Sequence, residues 1–163
     1  MASDLLQAEP SLRRVTFMWS KAYDTKDWAL LASICADEMW ICYDKLNMGI
    51  SSQKMPKEDF IAMLSSSHLL GNPKVSTQHF LGNALFEAVQ TKESEIDVVC
   101  GEWQIMASHQ RVLPDGEMKC WLSQGYLKHF YQRVGAEWKL YGIEPSIVLM
   151  NAQGVIEDIF VLQ

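Results

Sequence analysis

Tyr23 and Asp24 stand side by side in AYDTKDW, Tyr43 lies in ICYDKL, and the chain has only four histidines, His68, His79, His109 and His129. Two of them sit in short polar insertions within apolar contexts, His79 in TQHFLG and His109 in ASHQRV. Imidazole titrates near neutrality in water, so one ring can accept a proton while a second imidazole or a carboxylate returns one. Phenols can polarise a carbonyl and steady an enolate. Together such groups would enolise a ketone and expel a β-hydroxyl as water. Each also has a structural reading: Asp24 as a helix N-cap, Tyr43 as a core-edge tyrosine, a lone histidine as a hydrogen-bonded core residue. Two histidines with Asp24 are, by residue type, a possible metal set as well. GxGxxG, a Walker loop, GxSxG and HExxH are all absent, so nucleotide cofactors, serine-hydrolase chemistry and a zinc-protease site have no local support.

The elements that must position these groups follow from periodicity. Leu12, Val15, Phe17, Met18, Trp19 and Ala22 recur at helical spacing and predict an amphipathic helix over 11–23. TKDWALLASICA predicts a second helix, with Asp24 or Thr25 as N-cap and Asp27 in its first turn. MWICYDKL is β-rich and NMGISSQK reads as a polar loop. In MPKEDFIAMLSSSHLLG, Pro56 at N1, acids in the first turn and Gly71 as a stop predict a third helix. After NPKVSTQHFLG come four long β-rich runs, separated by the hairpin-like turns TKE, LPDGE and VGA. Three helices followed by long strands predict an α+β domain whose curved antiparallel sheet wraps around the helices. Alternation in CWLSQGYLKHFY puts Trp121, Ser123, Gly125, Leu127, His129 and Tyr131 on one face, a mixture that suits a pocket wall.

With 163 residues and 48% hydrophobic content, one domain over 1–163 is expected. A net charge of -6 argues against nucleic acid or an anionic membrane as partner, because both require a basic surface, and favours a neutral or weakly acidic small molecule. The N-terminal stretch lacks a secretory pattern and no window approaches a membrane span, so a cytoplasmic location is expected. Cys35, Cys42, Cys100 and Cys120 have no CxxC spacing and read as buried free thiols.

As a set, YDTKDW, Tyr43, MPKEDFIAMLSSSHLLGNP, TQHFLG, HQR and EWKLYGIEPSI resemble scytalone dehydratase, the fungal melanin-pathway enzyme, from about Trp19 to Ile147. The resemblance implies a cone-shaped α+β barrel of the SnoaL-like and nuclear transport factor 2-like kind, closed by helices over a deep central pocket. It also implies a homo-oligomer, trimer or dimer, with no metal and no cofactor. On this resemblance Tyr23 and Tyr43 hold a water against the substrate carbonyl, and Asp24 supports the catalytic histidines His79 and His109. Trp19, Leu46, Phe60, Met63, Leu69, Ala107, Ile143, Pro145 and Ile147 fall at or beside pocket-lining positions. The C-terminal segment becomes a lid with Phe160 pointing inward.

The chain departs from the family where a serine and a substrate-binding asparagine are replaced by Gly125 and Leu127, and a lysine by Ser67; Ser123 shares the strand face and partly replaces the serine. An apolar wall at Leu127 penalises a ligand presenting a hydroxyl there, which argues against scytalone itself. The expected function is therefore a cofactor-independent dehydratase acting on a polyketide-derived hydroxy ketone in pigment or secondary-metabolite biosynthesis. The alternatives are a cofactor-free cyclase, isomerase or pericyclase for a larger, more apolar intermediate, and a non-catalytic binding protein.

Overall fold

The computed structural model describes residues 2–46, 49–89, 98–150 and 155–161. Its first helix, α1 (Ala2–Thr25), is followed by α2 (Trp28–Ile34), β1 (Cys35–Ile41), a 3-10 turn (Asp44–Leu46), β2 (Gln53–Pro56) and α3 (Lys57–Leu64). Four long strands come next, β3 (Val75–Val89), β4 (Val98–Val112), β5 (Met118–Val134) and β6 (Glu137–Met150), and then α4 (Ile156–Ile159). The six strands form one sheet in the order β2-β1-β6-β5-β4-β3. It curves around α1, and side chains of α1, α2 and α3 fill its concave side with the core: Leu12, Leu31, Phe60, Met39, Ile41 and Leu140 are fully enclosed. Among the described residues, no helix is long and apolar enough to cross a membrane.

Several local expectations need correction. Helix α1 begins at Ala2, well before residue 11, and carries Pro10 inside it. Proline forfeits one helical hydrogen bond, but Leu5 and Ala8 extend the apolar stripe of Leu12, Val15, Trp19 and Ala22 toward the N-terminus and pack on the core. The N-cap of α2 is Asp27, whose carboxylate accepts the Leu30 N–H at 2.9 Å; neither Asp24 nor Thr25 has that role. Lys26, at φ 56°, makes the reversal between the two helices. The end of the loop NMGISSQK pairs as β2 against β1. Pro56 is the N-cap of α3 and lies just outside it.

Strand β3 already begins at Val75, so TQHFLG belongs to a ladder. The sheet is mixed, because β1 runs parallel to β6 while the other neighbours are antiparallel. The turn expected at TKE lies outside the described residues, whereas LPDGE and VGA do join strands. All four cysteines are free; Cys35 is buried and the other three are half-buried.

Candidate functional site

Strand register places the inward side chains in cross-strand rows. Thr77, His109 and Trp121 form one row, His79, Ala107 and Ser123 the next, then Leu81, Ile105 and Gly125, then Trp103, Leu127 and Pro145. Between this wall and α1 lies a largely apolar cavity with a few polar groups on its wall, the kind of concave site that takes a small molecule. Trp19, Tyr23, Tyr43, Leu46, Met63, Leu69, His79, Ala107, His109, Ser123, Gly125, Leu127, Ile143, Pro145, Ile147 and Phe160 all line it. Phe60, expected on the wall, does not: it is a fully buried core residue of α3. Its position in the apolar pattern of α3 does not separate a pocket-facing from a core-facing turn.

Asp24 and Tyr23 are adjacent on α1, and a 100° step between them sends the phenol to the cavity and the carboxylate to β3. Asp24 accepts the His79 backbone N–H with both oxygens, at 3.0 and 3.1 Å, and receives the ring Nδ1–H at 2.8 Å. A carboxylate facing Nδ1 only accepts, so the proton resides there and Nε2 is left as the basic nitrogen of His79. The side chain of His79 is 7% exposed and that of Asp24 22% exposed.

Across from His79, at 5.6 Å between ring centres and 90°, lies His109. It stacks on Trp121 at 5.0 Å and meets the edge of Phe160 at 5.4 Å. Burial, and secondarily the His79 charge, pull its pKa down to about 3, so it is a neutral ring at ordinary pH. Tyr23 packs against Trp19 at 4.6 Å and near His79 at 5.5 Å. Burial raises Tyr23 well above the usual phenol range, with Tyr43 adding to the effect. Burial likewise pushes Tyr43 up to about 12. Both phenols keep their protons. Their hydroxyls lie close enough to influence each other, yet the Tyr23 hydroxyl makes no hydrogen bond of standard geometry. It remains a donor facing the cavity, as an acceptor oxygen would require.

Gly125 fits its position for a steric reason. A Cβ there would meet the Ser146 carbonyl oxygen at 2.0 Å, where the β5–β6 register shifts. The wall is bare at this point, and Gln124, Tyr126 and Ser146, which have the opposite alternation, also border the cavity. Leu127, 1% exposed, makes the adjoining surface apolar.

Sequence reasoning did not assign Ile50, Leu64, Leu70 or Ile105 to the site, though all four line the cavity, whereas Trp121, which alternation put on the wall face with Ser123, lines it as expected. It also missed the polar chain below the cavity. The Trp103 indole donates to the Tyr131 hydroxyl at 2.9 Å, and Thr16 bonds both Tyr131 and His129, the latter at 2.8 Å. His129, fully buried with its pKa lowered to about 3 by that burial, packs edge-on against Trp19 at 4.7 Å. Among the described residues, no group of three or more His, Cys, Asp or Glu side chains is arranged to hold a metal ion.

A curved sheet closed by helices over a deep pocket, with acid–base groups and neutral donors on its wall, defines a cone-shaped α+β barrel. Solved structures share this fold: the Kfla4162 protein of Kribbella flavida superposes with a TM-score of 0.70 at 17% identity, covering 90% of this chain and 95% of that one. A hexachlorocyclohexane dehydrochlorinase, LinA type 2, superposes with a TM-score of 0.68 at 18% identity, covering 93% and 92%. The model of the family described as scytalone dehydratase matches residues 5–161, and the chain belongs to that family. Scytalone dehydratase arp1 of Aspergillus fumigatus is 34% identical over 154 residues, 92% of this chain and 86% of that protein. The scytalone dehydratase of Pyricularia oryzae is 34% identical over 144 residues, 83% and 77%. The scytalone dehydratase-like protein claB of Passalora fulva is 34% identical over 135 residues, 80% and 79%.

Proposed function

We propose that the protein is a hydro-lyase that removes water from a polyketide-derived hydroxy ketone, in fungal pigment or secondary-metabolite biosynthesis, without metal or organic cofactor. The observation that carries this reading is the Asp24–His79 pair, a cavity-facing imidazole whose Nδ1 is held by an anchored carboxylate. In the reaction, His79 Nε2 takes the proton α to the ketone, and the electrons of that C–H bond form an enolate. Tyr23 and Tyr43, both protonated, donate toward the developing oxyanion, directly or through a water. The enolate then re-forms the carbonyl, its electrons make the carbon–carbon double bond, and the β C–O bond breaks. The departing hydroxide carries away the proton from His79 as water. Asp24 stabilises the imidazolium formed between these steps.

His109, neutral because it is buried, is not a standing acid; its place is to orient the leaving hydroxyl by a hydrogen bond. Dehydratase names among the relatives support this reaction type, and Leu127 with the bare wall at Gly125 supports a substrate less polar on that side than scytalone. The same apolar wall favours the second reading, cyclisation of a larger substrate by shape. Mass spectrometry of the product separates them, since elimination removes one water and cyclisation keeps the mass. We also infer that copies of the chain associate through the outer sheet face, where Phe80, Leu85, Val148 and Leu149 are exposed.

A further inference from the structure

Four polar atoms at one end of the inner wall are buried without a hydrogen-bond partner: Thr77 Oγ1, His109 Nδ1, Trp121 Nε1 and Arg111 Nε. Trp19 Nε1, Tyr23 Oη and His129 Nε2 are likewise unpaired elsewhere, but these four are contiguous. Thr77, His109 and Trp121 are the cross-strand row at the α4 end of β3, β4 and β5, and Arg111 is the next inward residue of β4. Burying such groups unpaired costs stability at each atom, and a cluster of them calls for an occupant. Indole N–H and guanidinium are donors only, and the threonine hydroxyl and neutral imidazole each have a proton to give. The cluster is richer in donors than in acceptors, because only the threonine oxygen and one imidazole nitrogen can accept.

Arg111 shows the same imbalance. Among the described residues its guanidinium has no carboxylate partner; it reaches only the Ile159 carbonyl, at a long 3.4 Å. Its cross-strand neighbour Lys119 is already offset, its ammonium bonded to Glu117 at 2.7 Å with Asp158 and Asp115 also near, so Arg111 is the cation that counts here. The cover over the cluster is slight. Helix α4 has four residues, Phe160 lies edge-on against His109 and Trp121, and the Val161 N–H is tied to the His68 carbonyl at 3.0 Å. An anionic oxygen acid entering from the cavity would replace the Ile159 carbonyl on Arg111 as α4 shifts, exchanging a weak neutral acceptor for a charge-assisted pair.

We propose that Thr77, Arg111 and Trp121, together with His109, form an anion-binding subsite beside the cavity that takes a carboxylate carried by the substrate. The ligand is then an aromatic or hydroaromatic polyketide acid, held with its acid group under α4 and its reacting ring toward His79. This inference rests on the cavity being the substrate site but not on the reaction performed there.

The test is binding by titration calorimetry with two probes of similar ring shape, hydroxynaphthoate and naphthol, on the full chain. Wild type is expected to prefer the acid by about ten-fold or more, with the preference falling as salt rises. Arg111→Met should abolish the preference, and Arg111→Lys should keep part of it. Trp121→Phe and the near-isosteric Thr77→Val, which is least disturbing to folding, should each reduce it. Equal affinity for the two probes in wild type, or a preference that survives all these variants, overturns the proposal and leaves the cluster as a site for water. Binding of neither probe overturns it together with the reading of the cavity, whereas acid-selective binding without dehydration would remove only the proposed reaction.

Discussion

Replacing Asp24 by asparagine preserves an acceptor for the His79 backbone N–H but removes the charge that holds the ring proton on Nδ1. We expect Asp24→Asn to lower kcat by about 10²–10⁴-fold, with KM much less affected, because orientation and imidazolium stabilisation are lost together. Steady-state kinetics beside circular dichroism checks it, and a variant with near-native kcat would assign Asp24 to structure alone. Acid sensitivity is also a residue-scale property. His109 and His129 are held near a pKa of about 3 by burial, against an ordinary 6.5. The unfolded chain therefore binds more protons than the folded one between those values. Their contribution is fully present above about pH 6.5 and is lost as pH falls toward 3. Urea midpoints measured down to about pH 4 should drop, and His109→Phe should make the drop shallower by one proton's linkage. An unchanged slope would mean that His109 charges freely in the fold.

At the scale of elements, the β5–β6 register shift leaves no room for a side chain at Gly125, where a Cβ would lie 2.0 Å from the Ser146 carbonyl oxygen and 3.0 Å from Ile147 Cα. Gly125→Ala should cost about 2–4 kcal/mol by denaturant unfolding, beyond an ordinary surface change. Wild-type stability in that variant would show that the strands yield there. This crease explains why a serine is not simply missing from the chain: the backbone itself excludes one. It was invisible in the sequence, since pairing partners decide it. The first half of strand β3, ahead of the β-rich run ALFEAVQ, was hidden for another reason. Its inward residues Thr77 and His79 are polar, so this part of the cavity wall lacks the hydrophobic alternation that marks an ordinary strand. Pro10 masked the start of α1 by a rule that packing of Leu5 and Ala8 overrides. By contrast, the acids after Pro56 marked α3, and the alternation in β5 sorted inner from outer residues as the structure has them.

For the whole molecule, the outer sheet face is the unfinished surface. Phe80 and Leu149 are 64% and 59% exposed and border a shallow groove with Met106 and Tyr126. Analytical ultracentrifugation should find an oligomer, and Phe80→Glu with Leu149→Lys should return it toward the monomer mass; a monomeric wild type would refute association. The architecture as a whole was legible, because three helices before long strands admit few packings. The parallel β1–β6 pairing was not, since nothing local to either strand distinguishes parallel from antiparallel neighbours. The convergence of Asp24 with His79 could not be read from spacing either, as the residues are 55 positions apart; the motif resemblance supplied that expectation. The most direct measurement is product mass from wild type and His79→Ala on a panel of polyketide hydroxy ketones with no cofactor added. Loss of one water by wild type that disappears in the variant is the predicted result; a product of unchanged mass that persists in the variant would contradict it.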